Sequence, residues 1–416
     1  MAERFDLAVV GGGIVGLATA RRYAEEYPDA RIVLVEKERE LAAHQSGRNS
    51  GVVHSGVSYR PGSRKARFTL SGRAELLAYV RSRGLATEAL GKLIVARTER
   101  DLPDLDELAR RAAANGVPGV RRLGPEGIRA REPEVVGVAA LFVPSAAIVD
   151  FAEIARSFAR DLEAAGHAIR RATPIDRIVP HGDEVHLIGA SGAIELEARR
   201  AVACAGLGSD RLARRSGVRP AVRIVPFRGE FYEVRSRATP LVRGLVYAVP
   251  DPTLPFAEPH FTPDVRGRVW VGPNAVLALA REGYRRRSFR WKDAAEELAD
   301  PALWRLLGRL GPRALREGWR SIDRSTYAAD LARMVPALRR RDLGEARAGV
   351  RAQAVDDAGN LVDDFVWAET PGAVHLLNAP SPAATGAMAI ARAIAERLPL
   401  PGRLRRPTEG GTFKPA

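Results

Sequence analysis

Two stretches of the 416-residue chain place chemically useful residue types at short spacing. The first is "FDLAVVGGGIVG", which carries Gly11, Gly13 and Gly16 in a G-x-G-x-x-G pattern. Glycines there let a turn tighten and let backbone approach a pyrophosphate, whose charge then lies at a helix N-terminus. Glu36 closes the apolar run "RIVLVE" twenty residues after Gly16, where a carboxylate can accept from an adenosine ribose hydroxyl. The second is "HQSGRNSGVVHSGVSY", residues 44–59, with two histidines, serines beside glycines and an Arg-Asn pair. It has neither helical periodicity nor strand alternation, so it reads as a polar loop. Its end, "GVVHSGV", is too apolar for a loop lying in water, and Gly47 and Gly51 allow close backbone approach.

The surrounding elements must hold these residues in place. "FDLAVV" (5–10) and "RIVLVE" (31–36) read as buried strands. Between them Ile14, Leu17, Ala18 and Tyr23 fall on one side of a helix, which completes a βαβ unit. Residues 60–145 read as mixed helix and loop. "DFAEIARSFARDLEAAG" (150–166) reads as a helix, with Asp150 as N-cap and Gly166 as its stop. Short strands follow, and 222–276 reads as antiparallel sheet with strands near "FRGEFYEV", "GLVYAVP", "PHFTP" and "RVWVGPN". Residues 290–345 read as helical, and from 349 short strands lead to "NAPSPAATGAMAIARAIAERL", a polar turn opening a helix. The tail after about 402 reads as disordered.

Composition narrows the class. Hydrophobic residues are 46% and charged residues 28%, as in soluble globular proteins, and the length accommodates two domains. No apolar run approaches bilayer-crossing length, and the N-terminus lacks a signal peptide's core, so a cytoplasmic location is expected. Cys204 is the single cysteine, which excludes an internal disulfide and a cysteine metal cluster; no metal is expected. The net charge is +15, yet only five of the 65 basic residues are lysines and the arginines are spread along the chain. That pattern argues against a nucleic-acid face, though it attracts dianionic substrates at long range.

The order of elements resembles flavoproteins of the glycine-oxidase and glycerol-3-phosphate-dehydrogenase type, in the D-amino-acid-oxidase-like superfamily. These begin with such a βαβ unit, line the flavin with a polar loop and close the site with a glycine-bearing C-terminal helix. "AVACAGLGSD" (201–210) resembles their second turn beside the dinucleotide, at Gly206. The resemblance favours FAD over NAD. It becomes specific in "HQSGRNSGVVHSGVSYRPGSRKA", "VPFRGEFYEV", "VYAVPDPTLPF", "VGPNAVLALAREGYRRR", "GVRAQAVDDAGNLVDDF" and "NAPSPAATGA". These segments, in this order, are similar to the L-2-hydroxyglutarate oxidases and dehydrogenases. Ser46, Val53 and the pair Glu258-Pro259 depart from that family's pattern.

The resemblance implies an α/β fold. Its FAD-binding Rossmann-like nucleotide domain is discontinuous, over 1–88, 145–221 and 349–400. An inserted antiparallel β-sheet plus helices, 89–144 and 222–348, forms the substrate domain, and 401–416 is a tail. The implied reaction is FAD-dependent oxidation of L-2-hydroxyglutarate to 2-oxoglutarate by hydride transfer, with electrons passed to oxygen or a membrane quinone. The substrate is then a small-molecule dicarboxylate, and a peripheral membrane contact is compatible with the acceptor. Implied cofactor contacts fall on Gly11, Gly13, Ile14, Val15, Gly16, Glu36, Lys37, Gln45, Ser46, Asn49, Ser50, Gly51, Val52, Ile175, Gly206, Pro382, Ala383, Ala384 and Thr385. Arg351 is the implied carboxylate ligand, His54 and His260 are the candidate bases, and Arg228, Tyr247 and Asn274 are further substrate candidates. His44 is placed to touch the flavin, with no covalent link expected. Two alternatives stay open. One is the same fold acting on another 2-hydroxy or 2-amino acid. The other is a non-catalytic, basic flavin-binding protein on membrane or nucleic acid.

Overall fold

A continuous apolar run cannot lie at a sheet surface, and "FDLAVV" does not. In the computed structural model, which describes residues 3–235, 240–250, 259–311 and 323–406, strand Arg4–Val10 is central. It pairs in parallel with Ile32–Val35 on one side and Ile194–Ala203 on the other. Parallel strands need a crossover, here helix Ile14–Glu26, which packs Leu17, Ala20 and Tyr23 into the core. The eight-stranded sheet adds Ala168–Arg170 and Ala373–Asn378 in parallel, and three antiparallel strands at its margins. Helix Phe151–Ala164 begins where expected: the Asp150 carboxylate accepts from the amides of Ala152 and Glu153.

A second, nine-stranded sheet carries the substrate-side segments. Arg223–Val234, Leu245–Ala248, His260–Pro263 and Val269–Gly272 are the four strands expected there. Three differences from the sequence reading stand out. The region 60–145, read as helix and loop, supplies strands Lys92–Ala96, Arg121–Leu123 and Ala139–Val143 to this sheet. One pairing, Leu245–Ala248 with Lys92–Ala96, is parallel rather than antiparallel. The chain does not return to short strands at 349: Leu343–Val355 is one 13-residue strand, laid along Arg223–Val234. The expected boundary at 349 therefore falls inside a strand. Its interrupted hydrophobicity, "LGEARAGVRAQAV", hid it, because Glu345, Arg347 and Arg351 break up the apolar face that one of its sides would otherwise show.

The first tail residues are held. Arg403 pairs with the buried Asp6 at 2.7 Å and Arg405 with the buried Glu26 at 2.9 Å. Glu258, one of the departures noted above, lies outside the described residues.

Candidate active site

The glycine turn is built by close backbone approach. Gly11 has φ +116°, and a Cβ there would strike the Cys204 carbonyl. A Cβ on Gly16 would strike the Gly11 carbonyl. The carboxylate of Glu36 accepts from the Gly12 amide at 2.6 Å and from the Glu38 amide at 2.9 Å, so the acid is locked at the mouth of the turn. Ser46 reaches across from the polar loop and accepts from Ile14, the first helical amide, at 2.9 Å. The space at Gly13 opens toward the same hydroxyl, 3.1 Å from where a Cβ would lie. Gln45 stands at the corresponding place over Gly206. Val15 is part-buried at the helix start, and Ile175 packs against the core cluster that includes Val10 and Val35. A dinucleotide fits this cradle: a glycine turn that lets backbone approach closely, a helix N-terminus and a fixed acid.

The polar loop is braced from within. Asn49 donates to the carbonyls of Gln45 and Ser46 and accepts from the Gly51 amide. Both donors of its carboxamide are spent, so its work is holding the loop rather than offering hydrogen bonds to a flavin. Ser46 is likewise aimed at the helix end. Ser50 is half-buried, and Val52 pairs with Ile148 in a small sheet. Gly349 lets strand Leu343–Val355 lie on the loop, since a Cβ there would strike the Arg48 carbonyl. On the far side, the Thr385 hydroxyl accepts from the His54 amide at 3.1 Å. The turn of Pro382, Ala383, Ala384 and Thr385, which opens helix Ala387–Arg397, is thereby tied to the loop.

The loop leads into a cluster that tertiary structure alone assembles. His54, Tyr59, Tyr247 and Arg351 lie deep in the protein yet keep partial exposure, as residues lining an internal cavity do. His260 is buried and stacks on Tyr247 with ring centroids 3.9 Å apart. Lys92, absent from the sequence-based candidates, is 5% exposed and holds its ammonium 4.7 Å from the Tyr247 ring centre. Burial, then the charges of Lys92, His260, Lys65 and Arg351, push the His54 imidazole down to about 3. Burial lowers Lys92 to about 8 and raises the Tyr247 phenol. The hydroxyls of Tyr247 and Thr262 are neighbours, but neither makes a well-formed hydrogen bond among the described residues. Such orphaned groups are costly unless a ligand completes them.

Other expected residues sit elsewhere. Arg228 is next to Val350 in the ladder while Arg351 is next to Phe227, so the two arginines point to opposite faces. Arg228 donates to the Arg285 carbonyl and lies near Glu230. Asn274 accepts from the Glu230 amide and braces that strand. Lys37 bridges Glu38 and Glu282 at the rim, where His44 meets Tyr284 and Glu38. An open groove beside Lys37, Glu38, Arg211 and Arg281 contains none of the cluster residues. Burial raises the Cys204 thiol to about 12, which leaves it inert. Lys92 had one signal in sequence: in an arginine-rich chain, it is a lysine at the head of the apolar run "KLIVA".

A nucleotide cradle beside a buried, cationic, histidine-bearing cluster is the arrangement of a dinucleotide-dependent oxidoreductase. The chain matches the family model described as FAD dependent oxidoreductase over residues 6–397. It is 40% identical over 394 residues to an L-2-hydroxyglutarate dehydrogenase of Salmonella houtenae, covering 95% of this chain and 93% of that one. It is 38% identical over 410 residues to a mitochondrial L-2-hydroxyglutarate dehydrogenase of Homo sapiens, covering 95% and 88%. Among solved structures, FAD-bound L-alpha-glycerophosphate oxidase of Mycoplasma pneumoniae superposes with a TM-score of 0.77 at 24% identity, over 99% and 98% of the two chains. Glycine oxidase of Geobacillus kaustophilus gives 0.71 at 19% identity, over 95% of each. The chain belongs to the family of FAD-dependent oxidoreductases that includes the L-2-hydroxyglutarate dehydrogenases, and its cofactor is FAD.

Proposed function

We propose that the protein oxidises L-2-hydroxyglutarate to 2-oxoglutarate. The observation that carries this reading is the cavity wall of His54, His260, Tyr247 and Arg351, where the polar loop meets the second sheet. The curated relatives at 38–40% identity bear that activity in their names. FAD, held by Gly11, Gly13, Gly16, Glu36, Ser46, Gln45, Gly206 and the turn at 382–385, supplies the two-electron acceptor.

The chain's residues bind, orient and move the proton. The Arg351 fork takes the carboxylate beside the reacting carbon, in a site dry enough to strengthen the contact. His54 is neutral at neutral pH, so a ring nitrogen is ready to accept the hydroxyl proton. Its backbone is fixed to Thr385, which sets the ring against the cofactor turn. His260 and Tyr247 form a stacked pair that contacts substrate from the sheet. A fixed carboxylate and a fixed cofactor face determine which C–H is presented, so the L enantiomer reacts and the D enantiomer does not.

Electrons then leave to oxygen or a membrane quinone. No helix of the described residues is long and apolar enough to cross a membrane. The exposed Phe289, Trp291 and Trp304, near exposed Arg285, Arg287, Arg290 and Lys292, support a peripheral contact with an anionic surface. The reaction is tested by adding each enantiomer to the purified protein without oxygen and following loss of the flavin absorbance near its yellow band. Bleaching by L-2-hydroxyglutarate alone is expected. Equal rates with both enantiomers, or bleaching only by an amino acid, would overturn the assignment.

A further inference from the structure

Buried cations elsewhere in the described residues bring their own carboxylates. Lys65 pairs with Asp363 at 2.7 Å, and Arg392 pairs with Glu75 at 2.7 Å. Arg281 lies between Asp210 and Glu297. Lys92 is as buried as these and has no acidic partner among the described residues. An isolated ammonium in such a place costs several kcal/mol in lost hydration, so its retention calls for a partner that arrives with the ligand.

Its position says which partner. Register places Lys92 beside Leu245 and Tyr247 beside Ile94 on the parallel pair, so Lys92 and Tyr247 share a face. On the next strand His260 stacks on Tyr247. Lys92, Tyr247 and His260 thus form a row across three neighbouring strands. Arg351 reaches the same cavity from the other flank of the sheet, where it acts on both Tyr247 and His54. Two cations on separate strands, with the proton acceptor in the field of both, suit an anion with two separated charges better than one.

We propose that Lys92 binds the far carboxylate of the substrate and makes the site selective for dicarboxylic over monocarboxylic 2-hydroxy acids. This rests on the reading of the cavity as the 2-hydroxyglutarate site. An ammonium on a flexible stem accepts a carboxylate from several angles, whereas the Arg351 fork fixes the reacting end. The site then excludes monocarboxylates by leaving Lys92 buried and unpaired when they bind.

The test uses the FAD-loaded protein with Lys92→Met, which keeps the stem's volume and removes the charge. The kcat/KM for L-2-hydroxyglutarate divided by that for L-2-hydroxyvalerate should fall by about 30-fold or more. An unchanged ratio overturns the proposal, whether both rates survive or both collapse. A second measurement does not depend on turnover. Titration with glutarate, followed by the shift in flavin absorbance, should give binding to wild type that weakens above about pH 8, as Lys92 loses its proton, and at least tenfold weaker binding to Lys92→Met. Equal glutarate affinity in the two proteins overturns the role of Lys92. Failure of wild type to oxidise L-2-hydroxyglutarate, with the glutarate difference intact, overturns the reaction and leaves Lys92 as a dicarboxylate ligand.

Discussion

The cofactor cradle and the substrate wall solve opposite problems. In the cradle nearly every polar group already has a protein partner: Glu36 holds two amides, Ser46 meets Ile14, and Asn49 ties the loop to itself. In the wall several groups are desolvated and left short. Among the described residues Tyr247 and Thr262 lack good hydrogen bonds and Lys92 lacks an anion, and His54 is driven neutral. A cradle made of backbone is finished before its ligand arrives. A wall that holds groups such as Tyr247, Thr262 and Lys92 short of partners gains stabilisation when substrate binds, so interactions are strongest where the reaction occurs.

The largest break should come in the cradle. Gly13→Val fills the space facing Ser46, and the protein should purify with little or no FAD and no activity, while remaining folded. The ratio of flavin to protein absorbance checks this, and an undiminished ratio would mean the cradle is looser than its contacts imply.

In the wall, flavin content should survive and chemistry should fail. His54→Ala should lose about 10²–10⁴-fold in the rate of flavin reduction. With the free imidazole near 3, wild-type kcat/KM should stay level as pH falls from 7 through 6.5, where an ordinary histidine would already be charging. A bound dianion stabilises the imidazolium, so the acidic limb of single-turnover reduction should lie at higher pH than that of kcat/KM. The limb should vanish in His54→Ala and persist in His260→Ala; the reverse result would exchange their roles.

Arg351→Ala should follow, with a loss of about 30- to several-thousand-fold in kcat/KM, or about 2–5 kcal/mol. Arg351→Lys should restore only part, since an ammonium cannot form the fork. A variant within about threefold of wild type would take Arg351 out of the site.

His375 sharpens the contrast, because it is a buried polar group outside both regions. It is 1% exposed, neither ring nitrogen has a partner among the described residues, and burial lowers it to about 4. Its folded value lies below the unfolded value of about 6.5, so the unfolded chain gains the proton first as pH falls. Stability is full above about pH 6.5 and is lost toward pH 4, by up to about 3 kcal/mol. His375→Leu should flatten that part of the Tm-against-pH curve, and an unchanged slope would assign the loss to other groups. The smallest effect expected is Arg403→Ala, below about 1 kcal/mol by denaturant melting, since its pair with Asp6 is part-exposed.

The legible part of the sequence was the local part. The strand, glycine turn, helix and acid at 5–36 are fixed by neighbours in the chain, and so is the Asp150 cap of its helix. The substrate-side strands could be read because "FRGEFYEV" and "RVWVGPN" carry aromatic and valine residues that favour strands. Strand Leu343–Val355 could not, because its stability comes from eleven paired positions with Arg223–Val234 rather than from its own pattern. Side-chain direction was equally hidden. Arg228 and Arg351 are equivalent as arginines in family-like segments, yet register puts them on opposite faces.

What the sequence alone determined is therefore the nucleotide cradle, the family and the presence of a cationic, histidine-bearing site. These depend on contiguous residues whose backbone geometry follows from their own types. What only tertiary structure decided is which charges gather in the buried cluster: Arg351 and Lys92 beside Tyr247, Arg228 and Lys37 into ion pairs elsewhere. The reason is physical. A charge's role depends on whether a carboxylate and water are within reach, and both are set by strands that are distant in the chain and adjacent in the sheet.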